Sequence, residues 1–272
     1  MADILRYAAF STDPGGGNPA GVVLDAGRLS DADMLGIAAA VGYSETAFVT
    51  GTDGDGRLRL RYFSPLAEVP FCGHATVATA VALGPGEHRF TTNAGEVPVS
   101  VDADRRATLT SVPAHTGELA GEDLPALLAA LRWSADDLDP QLPPRVGFAG
   151  AYHPVIAART RARLADLAYD LPVLKELMER RGWTTVQLVW RESADTFHVR
   201  DPFPVGGVYE DPATGAAAAA FGGYLRELGL AGDDAVLHLR QGEDMGRPGE
   251  LTVTLVPGEK GVRVTGAAVP MS

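Results

Sequence analysis

The chain has 272 residues, of which 46% are apolar and 21% charged, which is typical of a soluble globular protein with one large domain or two ordinary ones. Its formal net charge of −12 disfavours nucleic acid and anionic membranes as partners, because both bind concentrated Lys and Arg. The single cysteine, Cys72, excludes an intramolecular disulfide, and no signal peptide or membrane-spanning apolar run is visible. We therefore expect a cytoplasmic protein.

The first half of the chain predicts several strands and two helices. The segments ILRYAAF, GVVLDA, ETAFVT and LRLRYFS have the composition of strands. Ser30 is the expected N-cap of a helix that carries Asp31 and Asp33 in its first turn. Residues 68–84, EVPFCGHATVATAVALG, predict a turn and then an apolar helix that ends at Gly84. Two further strands follow, in HRFTTNAGEVPVSV and ATLTSV.

The second half begins near residue 116 and repeats this order. It predicts a helix in EDLPALLAALRW and a helical stretch from 160 to 182 that is interrupted by Pro172. Strands are expected in TTVQLVW and TFHVRDPF, followed by an alanine-rich helix from 216 to about 229. A hairpin with a glycine-rich loop and a last strand, GVRVTGAAV, complete the chain.

A shift of the chain by 142 residues aligns the two halves. Glu68 then falls on Glu210, and Gly73 falls on Gly215. The helix after each glycine is apolar on nearly all faces, which is typical of a helix buried inside a curved sheet. Two such halves facing each other would direct two helix N-termini towards one cleft.

The N-terminus of each predicted helix is a candidate binding site for a substrate carboxylate. Its unpaired N–H groups and partial positive charge favour anions. Gly73 and Gly215 let a ligand approach the backbone, and small residues such as Thr76 and Ala216 leave these groups uncovered.

Charged and titratable side chains beside these helix starts are candidates for proton transfer. His74 and Asp211 would suit general acid–base catalysis at neutral pH. Structural roles remain open, since Asp211 could cap its helix and His74 could be a buried structural histidine. Cys72 is expected to be a small buried residue beside the turn.

Five motifs together resemble the PhzF-like family, named for an isomerase of phenazine biosynthesis. They are GNPAGVVL (17–24), SETAFV (44–49), RYFSPLAEVPFCGHAT (61–76), YEDPATGAA (209–217) and RQGEDMGRPG (240–249). The resemblance implies an α+β fold of the diaminopimelate-epimerase-like class, with two pseudo-symmetric domains. Each domain is a curved, mostly antiparallel sheet around a central apolar helix.

The resemblance also sets the expected domains and partners. It implies an N-terminal domain of residues 1–115 with a returning strand at about 258–272, and a C-terminal domain of residues 116–257. Family members are commonly homodimers that act on a small-molecule carboxylate or amino acid without metal or organic cofactor.

The family's reaction implies a role for each predicted site residue. Glu45 is implied as the general acid/base that takes a proton from one carbon and returns it to another. His74 and Asp211 are implied to assist binding and proton placement, so these three are the predicted catalytic residues. The predicted substrate-binding residues are Asn18, Gly73, Thr76, Thr214, Gly215 and Ala216.

Two departures from the family pattern bear on the substrate and the mechanism. Ala216 stands where the namesake has a serine, so a hydroxyl that could bind substrate is missing. Related racemases use two opposed cysteines, whereas Cys72 is matched here by Thr214. A two-cysteine racemase is thereby excluded, but a one-thiol mechanism that pairs Cys72 with Glu45 is not.

The sequence therefore predicts a cofactor-free isomerase acting on a small unsaturated or cyclic carboxylate or amino acid. The alternatives are an amino-acid epimerase or racemase using Glu45 and Cys72, and a non-catalytic small-molecule-binding protein. No metal site is expected, because the histidines lack ligand spacing. Glu68 and Glu210 are expected to brace their turns, and Arg247 could contact a carboxylate or belong to a plain hairpin turn.

Overall fold

The computed structural model describes residues 2–272 and divides the chain into two compact units. The first comprises residues up to Thr110 together with Thr265–Ser272, and the second comprises Ser111–Val264. The domain boundaries implied by the resemblance stay a prediction. Among the described residues, no helix has the length and apolar character needed to cross a membrane.

The first unit contains nine strands and two helices. Its strands are β1 (Leu5–Ala9), β2 (Asn18–Val23), β3 (Glu45–Thr52), β4 (Leu58–Phe63), β5 (Glu68–Val69), β6 (Gly86–Thr92), β7 (Gly95–Val101), β8 (Arg106–Thr110) and the last strand of the chain, β17 (Arg263–Pro270). Its helices are α1 (Asp31–Val41) and α2 (Gly73–Leu83).

Strand pairing closes the first unit into a ring. The order is β17, β1, β2, β3, β4, β6, β7, β8, and β8 pairs with β17 again. The β2–β3 and β4–β6 pairs are parallel, while β1–β17, β1–β2, β3–β4, β6–β7 and β7–β8 are antiparallel. Helix α2 packs against β1, β2, β3, β7 and β8, and its residues 74–81 are all buried. This burial explains its apolar, small-residue sequence.

Helix α1 confirms the predicted cap. Ser30 and Asp33 form a reciprocal capping box, and Gly42 ends the helix at φ 74°. Met34 and Ala38 face a separate apolar cluster that includes Phe48 from β3.

The second unit contains eight strands and four helices. Its strands are β9 (His115–Glu118), β10 (Arg145–Phe148), β11 (Tyr152–Ala157), β12 (Gln187–Arg191), β13 (Thr196–Pro202), β14 (Glu210–Asp211), β15 (Val236–Gln241) and β16 (Gly249–Thr254). Its helices are α3 (Asp123–Leu131), α4 (Arg161–Ala165), α5 (Leu171–Arg181) and α6 (Gly215–Glu227).

The second unit repeats the pairing pattern of the first. The run β10–β11–β12–β13–β15–β16 alternates antiparallel, parallel, antiparallel, parallel and antiparallel, as β1–β2–β3–β4–β6–β7 does. In each unit a two-residue strand, β5 or β14, precedes the central helix. The predicted hairpin is β15–β16, and the α+β fold class is confirmed.

Helix α6 is the central helix of the second unit. It packs against β9, β10, β11 and β16, and residues 217–225 are buried. A Cβ on Gly222 would lie 2.7 Å from Val253, and one on Gly223 would lie 2.6 Å from Ala114. Glycine is therefore required at both positions by close packing.

The helical stretch around Pro172 consists of two helices. Helix α4 ends at Ala165, and α5 begins at Leu171 with Asp170 as its N-cap and Pro172 in its first turn. Proline thus starts the second helix rather than interrupting a continuous one, because the first turn needs no N–H donor from that residue.

Candidate active site

The first unit brings four predicted or candidate residues to the start of helix α2. Glu45 is the first residue of β3 and lies opposite Ala20 in the parallel β2–β3 pair. Asn18 begins β2, while Cys72 is the N-cap residue of α2 and His74 lies in its first turn. The parallel pairing therefore carries Glu45 and Asn18 towards the same helix terminus.

Glu45, Cys72 and His74, which we call the Glu45 cluster, are in mutual contact. The Cys72 thiol donates to Glu45 Oε2 at 3.6 Å, and His74 Nε2 lies 3.4 Å from the same oxygen. The thiol sulfur lies 3.4 Å from Nδ1 and 3.7 Å from Nε2 of His74. The carboxylate, the thiol and the imidazole are thus close enough to exchange protons with one another.

Two further polar side chains contact the imidazole of His74. Asn18 Nδ2 lies 3.2 Å from Nδ1, and Ser44 Oγ lies 3.4 Å from Nε2. His74 and Asn18 are both buried, so these contacts determine the orientation of the ring.

Burial raises the pKa of Glu45 above the ordinary value of a glutamate, since the charged form loses hydration. Hydrogen bonds from Ser44 and Cys72 act in the opposite direction and are smaller. The side chain of Glu45 keeps 15% of its surface exposed, so solvent or a small ligand can reach it.

The backbone at the start of α2 is held in place by hydrogen bonds of Thr76 and leaves space beside Gly73. Thr76 Oγ1 donates to the Cys72 carbonyl at 2.7 Å and lies 2.6 Å from the Tyr62 hydroxyl. Above Gly73, an added Cβ would have the ring of Phe71 as its nearest described neighbour, at 3.9 Å. The Gly73 backbone is thus approachable. Thr76 is fully buried with its hydroxyl already engaged, and its predicted contact with substrate stays a prediction.

The second unit places Asp211, Thr214, Gly215 and Ala216 together at the start of α6. Thr214 is the N-cap residue, and its hydroxyl donates to Asp211 Oδ2 at 2.6 Å. Gln241 stabilises this turn, because its side-chain amide accepts from the Thr214 N–H at 2.9 Å and donates to the Asp211 carbonyl at 2.8 Å. The Asp211 side chain is therefore positioned through its neighbours.

The glycine-rich loop after β15 packs against the same turn. Gly242 has φ 79°, and a Cβ there would lie 2.3 Å from the Arg247 carbonyl and 2.8 Å from that of Pro212. The motif containing Gln241 and Gly242 thus supports the turn through backbone packing. The predicted contact of Arg247 with a carboxylate stays a prediction.

Glu68 and Glu210 occupy equivalent places in the two units and each binds an arginine. Glu68 forms a bidentate pair with Arg61 of β4, with both distances at 2.7 Å. Glu210 forms one with Arg200 of β13, at 2.8 and 2.5 Å. Both acids therefore tie the short strand before the central helix to the sheet, which is the bracing role predicted from the sequence.

A buried polar network lies beneath Asp211. Thr185 Oγ1 donates to Asp201 Oδ1 at 2.6 Å and lies 2.8 Å from His153 Nδ1, and the Gln187 amide lies 3.0 Å from both Asp201 oxygens. Burial, together with the charges of neighbouring carboxylates, raises the pKa of Asp201 well above its ordinary value. Burial also lowers the pKa of His153 to about 3.

The structure brings the predicted residues Glu45, His74 and Asn18 together, while their role in a site stays a prediction, and it adds neighbours that the sequence did not point to. Ser44 was assigned no role from the sequence, and Cys72 was predicted either as a small buried residue or as the partner of Glu45 in a one-thiol mechanism. The position of Cys72 one residue before the helix glycine was the available signal. Gln241 lies in a recognised motif, but its partners are distant in sequence.

Comparisons with known proteins agree with this fold. The family described as phenazine biosynthesis-like protein (PhzC-PhzF) matches residues 7–272. An uncharacterized isomerase of Deinococcus radiodurans is 37% identical over 93% of this chain and 87% of its own length. One of Escherichia coli (strain K12) is 36% identical over 98% and 95%. A trans-2,3-dihydro-3-hydroxyanthranilate isomerase of Pseudomonas chlororaphis is 30% identical over 88% and 85%.

Solved structures place the fold in the same class. A PhzF-family phenazine biosynthesis protein of Bacillus anthracis has a TM-score of 0.88 with 26% identity over 100% of this chain and 97% of its own. A predicted epimerase of Pseudomonas aeruginosa has a TM-score of 0.85 with 25% identity, over 100% and 98%. A hydroxyproline epimerase of Agrobacterium vitis has a TM-score of 0.66 with 13% identity, over 99% and 90%, a likeness of fold alone.

The fold is thus that of the epimerase-like class, as predicted. The chain belongs to the phenazine biosynthesis-like (PhzC-PhzF) family, and it is an enzyme of the isomerase class.

Proposed function

We propose that the protein moves a proton and a double bond within a small unsaturated or cyclic carboxylate or amino acid, without a cofactor, with Glu45 as general acid and base. The observation that carries this proposal is the burial of the Glu45 carboxylate against Cys72 and His74 at the start of α2. Its raised pKa makes the ionised form a stronger base and lets the protonated form persist closer to neutrality.

The proposed step needs no oxidant, reductant or second substrate. The Glu45 carboxylate removes a proton from a carbon next to the substrate's π system. The electron pair of the broken C–H bond forms a new double bond, and the pair of the old double bond takes a proton from the Glu45 carboxyl at the distal carbon. Because the Glu45 side chain is 15% exposed, its carboxyl exchanges with solvent between the two transfers, so in D₂O the distal carbon receives deuterium. The partial positive charge at the start of α2, beside the open space above Gly73, supports binding of the substrate carboxylate there.

The geometry of Cys72 favours isomerisation over epimerisation by two bases. A two-base epimerase holds the reacting carbon between an acid and a base on opposite faces. The Cys72 sulfur and Glu45 Oε2 are in contact at 3.6 Å, which leaves no space for a carbon between them. One-thiol epimerisation would therefore require these side chains to separate.

The substrate can be identified by testing a panel of candidate compounds. The relative from Pseudomonas chlororaphis is named for trans-2,3-dihydro-3-hydroxyanthranilate, which makes that cyclic amino acid the first compound to include. Ala216 lacks the hydroxyl that the namesake carries at this position, so other unsaturated and cyclic amino acids belong in the panel.

The test is hydrogen–deuterium exchange of the panel compounds in D₂O, followed by NMR. It compares the wild type with Glu45→Gln and with Glu87→Gln, a matched carboxyl-to-amide change at an exposed residue of β6. We expect exchange into one compound, a fall of roughly 10²–10⁴-fold with Glu45→Gln, and no change with Glu87→Gln.

Exchange that Glu45→Gln leaves intact would contradict the role of Glu45 and direct attention to Cys72 or Asp211. Absence of exchange with every compound would favour the non-catalytic binding alternative, which saturation-transfer NMR with the same panel detects. The contribution of Asp211 stays a prediction, and Asp211→Asn in the same assay tests it.

We also infer a homodimer on the basis of the resemblance, and we keep the cytoplasmic location as the expectation drawn from the sequence. Light scattering coupled to size-exclusion chromatography tests the mass, and a monomer across micromolar concentrations would contradict it.

A further inference from the structure

The Glu45 cluster has the composition of a zinc site. Glu45, Cys72 and His74 each offer one ligand atom, and these atoms lie within 4.8 Å of one another. Thiolate, imidazole and carboxylate are the three side-chain ligands that Zn²⁺ uses in proteins. The separation along the chain, a glutamate 27 residues before a Cys-x-His, matches no common zinc motif, which is why the sequence predicted none.

The distances between the ligand atoms fit tetrahedral coordination. With Zn–S of about 2.3 Å and Zn–N and Zn–O of about 2.0–2.2 Å, a tetrahedral ion separates S from N or O by roughly 3.5 Å, and N from O by roughly 3.4 Å. The observed separations are 3.7 Å for Cys72 Sγ to His74 Nε2, 3.6 Å for Sγ to Glu45 Oε2, and 3.4 Å for Nε2 to Oε2.

The cluster is also held in place by its surroundings. Asn18 contacts Nδ1 of His74, and Thr76 binds the Cys72 carbonyl with both its hydroxyl and its N–H. Glu45 is fixed at the start of β3 by its pairing with β2. A site with preset ligands loses less conformational entropy when an ion binds.

The other histidine–carboxylate group among residues 2–272 shows the contrast. His198 lies between Glu243 at 2.5 Å and Glu192 at 3.2 Å, so both ring nitrogens face carboxylates. Those acids are paired with Arg161 and Arg240, at 3.7 and 2.9 Å. The charges of Glu243 and Glu192 are therefore already balanced by arginines.

We propose that the Glu45 cluster binds one Zn²⁺ through Cys72 Sγ, His74 Nε2 and the Glu45 carboxylate, with water in the fourth position, and that the ion inhibits the enzyme. Binding displaces the thiol proton to solvent, and coordination occupies the carboxylate that the reaction needs. The inhibition rests on the proposed function, but the binding does not, so the two are tested separately.

The binding test uses the full-length protein and needs no substrate. Zn²⁺ is titrated in competition with a chromophoric chelator, and Co²⁺ serves as a spectroscopic probe. We expect one equivalent of either ion, with a sulfur-to-cobalt charge-transfer band and the intense visible bands of tetrahedral cobalt. Cys72→Ala, His74→Asn and Glu45→Gln should each weaken Zn²⁺ binding at least about tenfold, while the control His198→Asn should not.

A second readout uses the wild type alone and so is independent of whether the variants fold. Cys72 is the only cysteine, so alkylation by iodoacetamide reports on this site alone. We expect Zn²⁺ to slow alkylation and Mg²⁺ to have no effect. Alkylation unaffected by Zn²⁺, or Zn²⁺ binding that all three substitutions leave unchanged, would overturn the proposal.

The outcomes separate this inference from the proposed function. Zinc binding without any deuterium exchange would uphold the site and contradict the isomerase. Exchange that zinc does not inhibit would uphold the isomerase and contradict the inhibitory site. Exchange that falls as one equivalent of Zn²⁺ is added would support both.

Discussion

Gln241 holds the turn before α6 with both ends of its amide. It accepts from the Thr214 N–H, donates to the Asp211 carbonyl, and lies 3.0 Å from the Thr214 hydroxyl. Gln241 itself is buried, so its amide depends on these protein partners rather than on water.

We predict that Gln241→Leu lowers the free energy of unfolding by about 2–4 kcal/mol, because the Thr214 N–H and the Asp211 carbonyl both lose their hydrogen bonds to the Gln241 amide. Urea unfolding followed by circular dichroism measures this. The matched control is Gln141→Leu at an exposed position, expected within about 0.5 kcal/mol of wild type. Equal losses in the two variants would show that the Gln241 amide is not what stabilises the turn.

The fold disfavours the charged form of the Asp201 side chain. Burial is the main cause of its raised pKa, and the charges of Asp211 and Glu210 add to it. Stability from the protonated carboxyl is therefore fully present below the ordinary aspartate pKa. It is lost as the pH rises through the higher folded-state pKa.

We predict that Asp201→Asn makes the protein more stable than wild type at alkaline pH, because the amide cannot ionise. The oxygen of the new amide can accept from the Gln187 side-chain nitrogen, which lies 3.0 Å from the Asp201 oxygens. The difference in unfolding midpoint between Asp201→Asn and the wild type should shrink as the pH falls from the alkaline range towards 4. Its sign should stay the same across this range. A variant that gains nothing at high pH would contradict the raised pKa.

At the scale of elements, the two short strands before the central helices are anchored by equivalent ion pairs of unequal burial. The side chains of Arg200 and Glu210 are 9% and 3% exposed, against 21% and 28% for Arg61 and Glu68. Breaking a buried pair leaves an uncompensated charge without water, while a pair that water reaches in part, such as Arg61 with Glu68, contributes less.

We predict that Arg200→Ala costs about 3–5 kcal/mol of unfolding free energy and that Arg61→Ala costs about 1 kcal/mol or less. The two variants are matched controls for each other, since they occupy equivalent places in the repeat. Chemical denaturation at low and high salt measures both losses of unfolding free energy. Added salt should reduce the loss caused by Arg61→Ala by a larger fraction than the loss caused by Arg200→Ala. Similar losses in the two variants would mean that burial does not determine how much each ion pair contributes to stability.

The repeat also shows which parts of the fold the sequence could predict. The offset of 142 residues placed Gly73 and Gly215 at the starts of α2 and α6, because small residues in a buried helix leave a clear pattern. The contact between Glu45 and Cys72 could not be predicted from residue patterns, since it depends on parallel pairing of β2 with β3. Only the family resemblance pointed to Glu45.

At the scale of the whole molecule, the C-terminal strand completes the first unit. Strand β17 pairs with β1 on one side and β8 on the other, so the ring has no edge there. Without β17, both strands would expose unpaired backbone groups, which is a recognised cause of aggregation.

We predict that deletion of residues 263–272 abolishes cooperative folding of the first unit and makes the protein aggregate. Deletion of Ser272 alone, which lies beyond β17, should leave folding unchanged. Hydrogen exchange monitored by mass spectrometry would locate the loss of protection in β1 and β8. Protection retained in both strands would show that ring closure is dispensable.

The central claim, that Glu45 carries a proton between two carbons of one substrate, is tested most directly by locating deuterium in the product. The compound that exchanges is converted in D₂O by the wild type and by Glu45→Gln, and the product is analysed by ¹H and ²H NMR. The account predicts deuterium at a carbon other than the one that lost its proton, a shifted double bond, and loss of both with Glu45→Gln. Deuterium at the original stereocentre with the carbon skeleton and double bonds unchanged would contradict it and identify an epimerase.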